Sequence, residues 1–315
     1  MNISIIIPFR NAEKTIQRCV DSILRQNIDD LQIILVNDHS KDNSYKICES
    51  LKQNEQIILV NTNGTGVSAA RNTGLQFANK EIIGFCDADD YFESNVLKEI
   101  LKEFENQNIK MVIAGYYKTS IDEKVHCRSK PMHLNINKKI TVNRAEKLIL
   151  LDNRVMGSVW NKFYRRSLIK SIYFDDNLSY CEDMHFNCKV LHELSKNVNE
   201  KSIKIVPYCV YHYVANPKSV TNTLDMLFDE NNELKYIVTM DKIEEIIYTS
   251  KHYIRYKKFV FALNYISLPI VDLDQKNKLL QVIKDNFLYF ILCFFCFPRK
   301  NMKFALQSIK VLMKN

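Results

Sequence analysis

The chain has 315 residues, enough for one large domain or a catalytic domain with a helical appendage, and its ordinary hydrophobic content supports a packed core. Its six glycines are too few for several glycine-rich phosphate loops, and the absence of a Gly-Lys-Ser/Thr run excludes a P-loop. The net charge of +8 is uneven: residues 1–115 hold 12 Lys/Arg against 16 Asp/Glu, and the remaining residues hold 32 against 20. A basic second part suits an anionic surface, although lysine as plain polar filler explains any single one. The start of the chain has no basic leader ahead of its short apolar run, so no secretory signal is expected. Nine cysteines, an odd number with a lone Cys293/Cys296 CxxC and no histidine beside it, read as reduced thiols and a cytoplasmic protein.

The first part alternates apolar runs with helical spacing. Strands are predicted at residues 3–8, 31–36, 57–60, 82–86 and 111–116. Helices are predicted at 12–26, 42–52, 67–78 and 94–105, the last with Ser94 as its N-cap. Short continuous apolar strands between amphipathic helices indicate an α/β fold, with a mostly parallel sheet covered on both faces. Ligands of such sheets bind beyond the carboxyl ends of the strands. Residues 117–142 read as a polar excursion, 143–223 as short mixed elements, and 224–315 as helical with an apolar run at 287–297. The expected organisation is therefore 1–116, 117–223 and 224–315. No internal repeat or low-complexity tract is found.

The first four strands all end in polar residues: Pro8-Phe9-Arg10-Asn11, Asn37-Asp38-His39-Ser40, Gly64-Thr65-Gly66 running to Arg71, and Asp87-Ala88-Asp89-Asp90. Clustered carboxylates at a buried strand end repel one another unless a cation is present. Residues i and i+2 of an extended segment point the same way, so Asp87 and Asp89 can share a Mg²⁺ or Mn²⁺ completed by phosphate oxygens. Asp90 reads as a helix cap. Gly64-x-Gly66-x-x-Ala69, with Asp87 18 positions further on, is nearly a dinucleotide fingerprint. It follows the third strand rather than the first, however, and three acids occur where one is expected.

These motifs, taken together with Gly66-Val-Ser-Ala-Ala-Arg71-Asn72-Thr-Gly74, resemble family 2 glycosyltransferases of the GT-A fold over residues 1–115. A looser resemblance to bacterial enzymes of capsule and O-antigen assembly continues through Val159-Trp160-Asn161-Lys162-Phe163-Tyr164-Arg165-Arg166 and Cys181-Glu182-Asp183-Met184. The resemblance implies an inverting transferase that moves a sugar from a UDP-sugar to a glycan or polyprenyl-linked saccharide. Pro8, Phe9 and Asn11 would line the base and ribose pocket, Asp38 would bind uracil, and Arg71 would lie beside the base or diphosphate. Asp87 would contact ribose or a metal-bound water, Asp89 would hold the metal, and Asp183 would be the catalytic base with Glu182 beside it. Two positions depart from the family pattern: Phe9 replaces a tyrosine, and Asn37-Asp38-His39-Ser40 replaces Asp-Asp-Gly-Ser.

The remaining candidates come from the residues themselves. Trp160 and Lys162 could meet a sugar, or Trp160 could anchor the core. His212 could be a further ligand, or a satisfied strand histidine. The run at 287–297 is too short to span a bilayer and reads as a buried helix or as a peripheral contact with the inner face of the membrane. No nucleic-acid partner is expected. A non-catalytic nucleotide-sugar-binding protein and a nicotinamide enzyme are the alternatives from other classes.

Overall fold

The structure is a computed structural model describing residues 1–120, 122, 124–129, 138–152, 155–196, 202–215, 227–247, 250–266, 268 and 271–293. The chain divides into two compact units, Met1–Thr223 and Leu224–Asn315.

In the first unit, β1 (Ile3–Phe9), α1 (Ile16–Leu24), β2 (Leu31–Asn37), α2 (Ser44–Leu51), β3 (Ile57–Asn61), α3 (Val67–Phe77) and β4 (Ile82–Phe85) follow one another as strand–helix repeats. Then come β5 (Tyr91–Phe92), α4 (Val96–Glu103), β6 (Met111–Ser120), β7 (Val125–Ser129) and β8 (Lys138–Ile140). The unit continues with α5 (Val142–Leu151), β9 (Lys162–Arg165), α6 (Arg166–Ile169), α7 (Glu182–Ser195) and β10 (Ile203–Ala215). The strands form one sheet in the order β3-β2-β1-β4-β9-β6-β10-β5, with β7 on β6 and β8 on β10. β1 pairs parallel with β2 and β4, and β2 parallel with β3. β9 runs antiparallel between β4 and β6, and β10 lies parallel to β6. Every residue of β1 and β2 is buried, because both faces of this central pair are covered.

Four expectations are corrected. The fifth strand does not stop at 116: β6 reaches Ser120 and pairs with β7, so the expected boundary after residue 116 cuts a strand. In Tyr117-Lys118-Thr119-Ser120, Thr119 is buried and Lys118 exposed, with the other two half-buried, a strand end that polarity disguised. α4 is capped by Asn95 in a left-handed conformation, φ 57°, rather than by Ser94. Asp90 is no cap: it is 1% exposed, and its carboxylate accepts the Val214 N–H at 2.7 Å, tying the acidic strand end to β10.

In the second unit, α8 (Lys235–Ile246) and α9 (Lys251–Tyr265) are joined by an ion cluster around the buried Lys258 and Glu244. Lys258 Nζ meets Asp241 and, at 2.6 Å, Glu244, which also accepts Arg255 Nε at 2.6 Å. α10 (Leu273–Cys293) packs on α9 through Phe290, whose ring stacks on Phe259 at 4.5 Å. The run at 287–297 starts within α10, and its part from 294 onward lies outside the described residues. Among the described residues no helix is long and apolar enough to cross a membrane. All seven cysteines with described side chains are free, Cys19 and Cys86 lying 3.4 Å apart in the core.

Candidate active site

The carboxyl ends of β1, β2 and β4 and the loop after β3 converge on one edge of the sheet. Two of these turns need a left-handed backbone. Asn11 (φ 52°) and His39 (φ 53°) adopt it, the latter at the position where the family pattern has glycine. They are held by side-chain bonds: Asn11 Oδ1 accepts Lys41 N–H at 2.8 Å, Ser40 Oγ accepts Asn11 N–H at 3.1 Å, and His39 Nε2 lies 3.1 Å from the Gly64 carbonyl. Asp38 is buried, and both its carboxylate oxygens lie 3.2 Å from the Gly66 N–H, with Arg10 at 3.8 Å. Gly66 has φ 90°, strained for any L side chain, and opens α3. Pro8 and Phe9 complete β1; Phe9 is 2% exposed and packs into the core.

Arg71, one turn into α3, is the centre of the site. Its side chain is 5% exposed. Nη2 donates to Asp87 at 2.9 Å, Nη1 donates to Glu182 at 2.8 Å, and the guanidinium lies 5.4 Å from the Phe174 ring centre. Burial would depress its pKa, but the surrounding carboxylates of Asp87, Glu182 and Asp183 outweigh this and raise it. One planar cation thus bridges the acidic strand end and the first turn of α7, Arg71 and Glu182 being 111 residues apart in sequence.

Asp183 follows Glu182 in that first turn. Burial and the Glu182 charge push its carboxyl up to about 6, while Arg71 and the Met184 N–H, which donates to Oδ1 at 2.7 Å, pull the other way. Its second oxygen has no hydrogen-bond partner among the described residues. A partly buried carboxylate at this value is ionised at neutral pH yet basic enough to accept a proton.

The three acids after β4 have separate fates. Asp87 is taken by Arg71, and its N–H donates to the Tyr211 hydroxyl at 3.0 Å. Asp90 is drawn inward. Asp89 is exposed at the tip, where its backbone carbonyl accepts Arg18 Nη2 at 2.7 Å. Desolvation by its surroundings and repulsion from Asp87 raise the Asp89 carboxyl to about 6. Among the described residues no three His, Cys, Asp or Glu side chains converge to hold a metal by themselves. Asp89 beside Asp87, its charge only partly offset by Arg18, fits a hard divalent cation completed by ligand oxygens from outside the protein.

The other candidates lie elsewhere. Lys162, expected at a sugar, is 0% exposed, and its ammonium is bonded within the chain. Trp160 is 4% exposed and stacks on Tyr211 at 4.6 Å, an aromatic wall behind the acidic strand end rather than a free platform. His212 is sandwiched between Tyr91 and Tyr117 at 4.3 and 4.6 Å, with its nitrogens facing Thr119 and Glu93. It is the satisfied strand histidine. Sequence reading missed Asn72, whose amide grips Phe174 through N–H at 2.8 Å and carbonyl at 3.0 Å, and so fixes the ring beneath Arg71. Its place one residue after Arg71 was the available signal.

The family model Glycosyl transferase family 2 matches residues 4–173, more than half of the chain. The chain is 34% identical over 224 residues to EpsJ of Bacillus subtilis, an uncharacterized glycosyltransferase, covering 70% of this chain and 62% of that protein. It is 31% identical over 201 residues to the minor teichoic acid biosynthesis protein GgaA of Bacillus subtilis, covering 60% and 43%. The alignments therefore span about three fifths or less of these relatives' lengths. Among solved structures, S. aureus TarS residues 1–349 in complex with UDP superposes with a TM-score of 0.67 at 18% identity, covering 98% of this chain and 88% of that one. That likeness establishes the same GT-A architecture, with a helical C-terminal region. The Glu182–Asp183 pair lies beyond the matched span, so its place in the site rests on the Arg71 bridge. The chain belongs to glycosyl transferase family 2.

Proposed function

We propose that the protein is an inverting, metal-dependent glycosyltransferase that moves a sugar from a UDP-sugar to a hydroxyl of a glycan or polyprenyl-linked saccharide in surface polysaccharide assembly. The carrying observation is the Asp87–Arg71–Glu182 bridge, which holds Asp183 beside the acidic strand end. Pro8, Asn11 and Asp38 lie on the nucleotide side of that edge, with Phe9 packed behind them. TarS solved with UDP-GlcNAc, TM-score 0.67 at 19% identity, supports a nucleotide-sugar donor.

The reaction needs one protein base. The acceptor hydroxyl gives its proton to Asp183 as its oxygen bonds to the anomeric carbon. The bond from that carbon to the diphosphate breaks, and UDP leaves with the electron pair. Attack opposite the leaving group inverts the centre, unlike the paired-carboxylate chemistry of glycoside hydrolysis. A divalent cation, Mn²⁺ or Mg²⁺, neutralises the diphosphate when bound, with Asp89 as its ligand and Asp87 beside it. Arg71 holds Asp87 and Glu182 in place.

Calorimetric titration with UDP tests the donor site. Binding should require manganese and weaken by about 100-fold in Asp89→Ala, roughly the loss of a charged ligand contact of ~3 kcal/mol. Metal-independent binding of NAD instead would overturn the reading.

The acceptor side extends this reading to the membrane. Leu288, Ile291 and Leu292 lie 62%, 48% and 61% exposed on the last two turns of α10. The sequence after them carries Arg299, Lys300 and Lys303. Apolar contact followed by cations suits a peripheral position on the cytoplasmic membrane. Co-sedimentation with anionic vesicles that is lost in Leu288→Glu/Leu292→Glu supports it; absence of the wild-type protein from the vesicle pellet removes it.

A further inference from the structure

Lys162 begins β9, the strand between β4 and β6, and is completely buried. A lone ammonium in the interior is costly, so its surroundings have to supply oxygens. Four do so: the carbonyls of Val155 at 3.1 Å, Met156 at 3.0 Å and Ser158 at 2.6 Å, and Asn161 Oδ1 at 2.8 Å. These gather the turn 155–158 around one charge. The turn needs such a clasp, because Met156 has φ 56° and the segment belongs to no strand or helix.

The same turn is fastened to α7. Asn187 Nδ2 donates to Gly157 O at 2.6 Å and lies 3.0 Å from Asp183 O. Tyr164, two residues beyond Lys162 on β9, donates its hydroxyl proton to Asn187 Oδ1 at 2.7 Å. Gly157 packs so closely on the first turn of α7 that a Cβ there would meet Met184 Cβ at 2.5 Å. Lys162 therefore connects through two carbonyl-rich steps to the backbone that carries Asp183.

We infer that Lys162 is a positioning residue for the proton-accepting carboxylate, its ammonium clasping the turn against which the Asp183 helix is set. The inference rests on the base role proposed for Asp183. The groups facing that carboxylate are Glu182 beside it, Arg71 from α3, Asp87 from the β4 end, and Tyr164 and Lys162 from β9. Lys162 acts on Asp183 by place and, in its charged form, by favouring the ionised carboxylate, although burial lowers the Lys162 pKa to about 7.

The test is Lys162→Met, of similar length without charge. Transfer kcat should fall about 30-fold, while affinity for manganese and UDP stays within threefold. The acid limb of the kcat–pH profile, set by the base, should move up by about half a unit. A purely structural role would leave that limb in place, and an unmoved limb or an unchanged kcat overturns the inference. Should Lys162→Met not fold, Lys162→Gln is read by the same criteria. Asn187→Ala removes the link to α7 and leaves the cation, so kcat should fall about tenfold with the limb unmoved; full kcat there also overturns it. Asp183→Asn separates the two readings. Retained turnover in Asp183→Asn removes the base itself, whereas lost turnover with a wild-type-like Lys162→Met removes only the role of Lys162.

Discussion

The two halves of the sheet solve different problems. From β1 to β4 parallel strands alternate with helices, connections are local, and polar side chains stand at the carboxyl edge where a ligand can reach them. From β5 to β10 the strands are mixed in direction, and key polar residues are turned inward, Lys162 on carbonyls and His212 between two tyrosines, while Val214 of β10 draws in Asp90 from the β4 end. The first half presents groups. The second half braces them, and Arg71 joins the two, with Asp87 on one side and Glu182 on the other.

Variants can break or sharpen this contrast. The largest effect is expected at Asp183→Asn, with kcat lower by about 10³-fold, inside the usual ~10²–10⁴ range for a general base, and donor affinity kept. The same substitution should raise stability at alkaline pH. Folding raises the Asp183 pKa to about 6, so wild type gains stability from the protonated group below its unfolded value near 3.8 and loses that gain as pH rises through 6. The melting advantage of the Asn variant, roughly a few degrees at pH 8, should vanish near pH 4; an equal advantage at both would show that ionisation is not its cause.

Arg71→Lys comes next. One ammonium cannot make both ends of the fork, so one charge-assisted bond worth ~1.5–3 kcal/mol is lost, and kcat/KM should fall about 10–100-fold. Wild-type kinetics would mean that the halves do not need the bridge. In the wild-type enzyme, kcat should decline as pH falls through about 6, since a protonated Asp183 cannot accept the acceptor's proton. A profile flat down to pH 5 would place the base elsewhere.

The smallest effect is expected at His212→Phe. The stack with Tyr91 and Tyr117 survives and two hydrogen bonds go, at ~1 kcal/mol and a melting shift of ~2–4 °C. Turnover should stay within twofold. A large loss of turnover would give the braced half a direct part in the chemistry.

This contrast also explains what the sequence alone could and could not disclose. The alternation that made β1, β2 and β4 readable is local, and so are the strand-end motifs with Asp38, Arg71, Asp87 and Asp89. The meaning of Lys162 or Asp90 depends on partners that topology supplies, the turn at 155–158 and Val214 of β10. A lysine in a polar context reads as surface unless its carbonyl cage is known. Asp183 was found by resemblance, since in sequence it is indistinguishable from ordinary first-turn helix charge. His39 shows the reverse case, a departure from the family's glycine that the backbone at φ 53° accommodates with the same turn.

Arg71 has one further consequence. It is a single cation shared by Asp87 and Glu182, which in the proposed reaction stand on the donor side and next to the acceptor's base. Any occupant that draws Asp87 away from it changes its hold on Glu182. Binding at the two sites is then thermodynamically linked, and the linkage is reciprocal: the factor by which a bound nucleotide alters acceptor affinity is the factor by which bound acceptor alters nucleotide affinity. The sharing of one guanidinium can in this way make the order of substrate arrival matter.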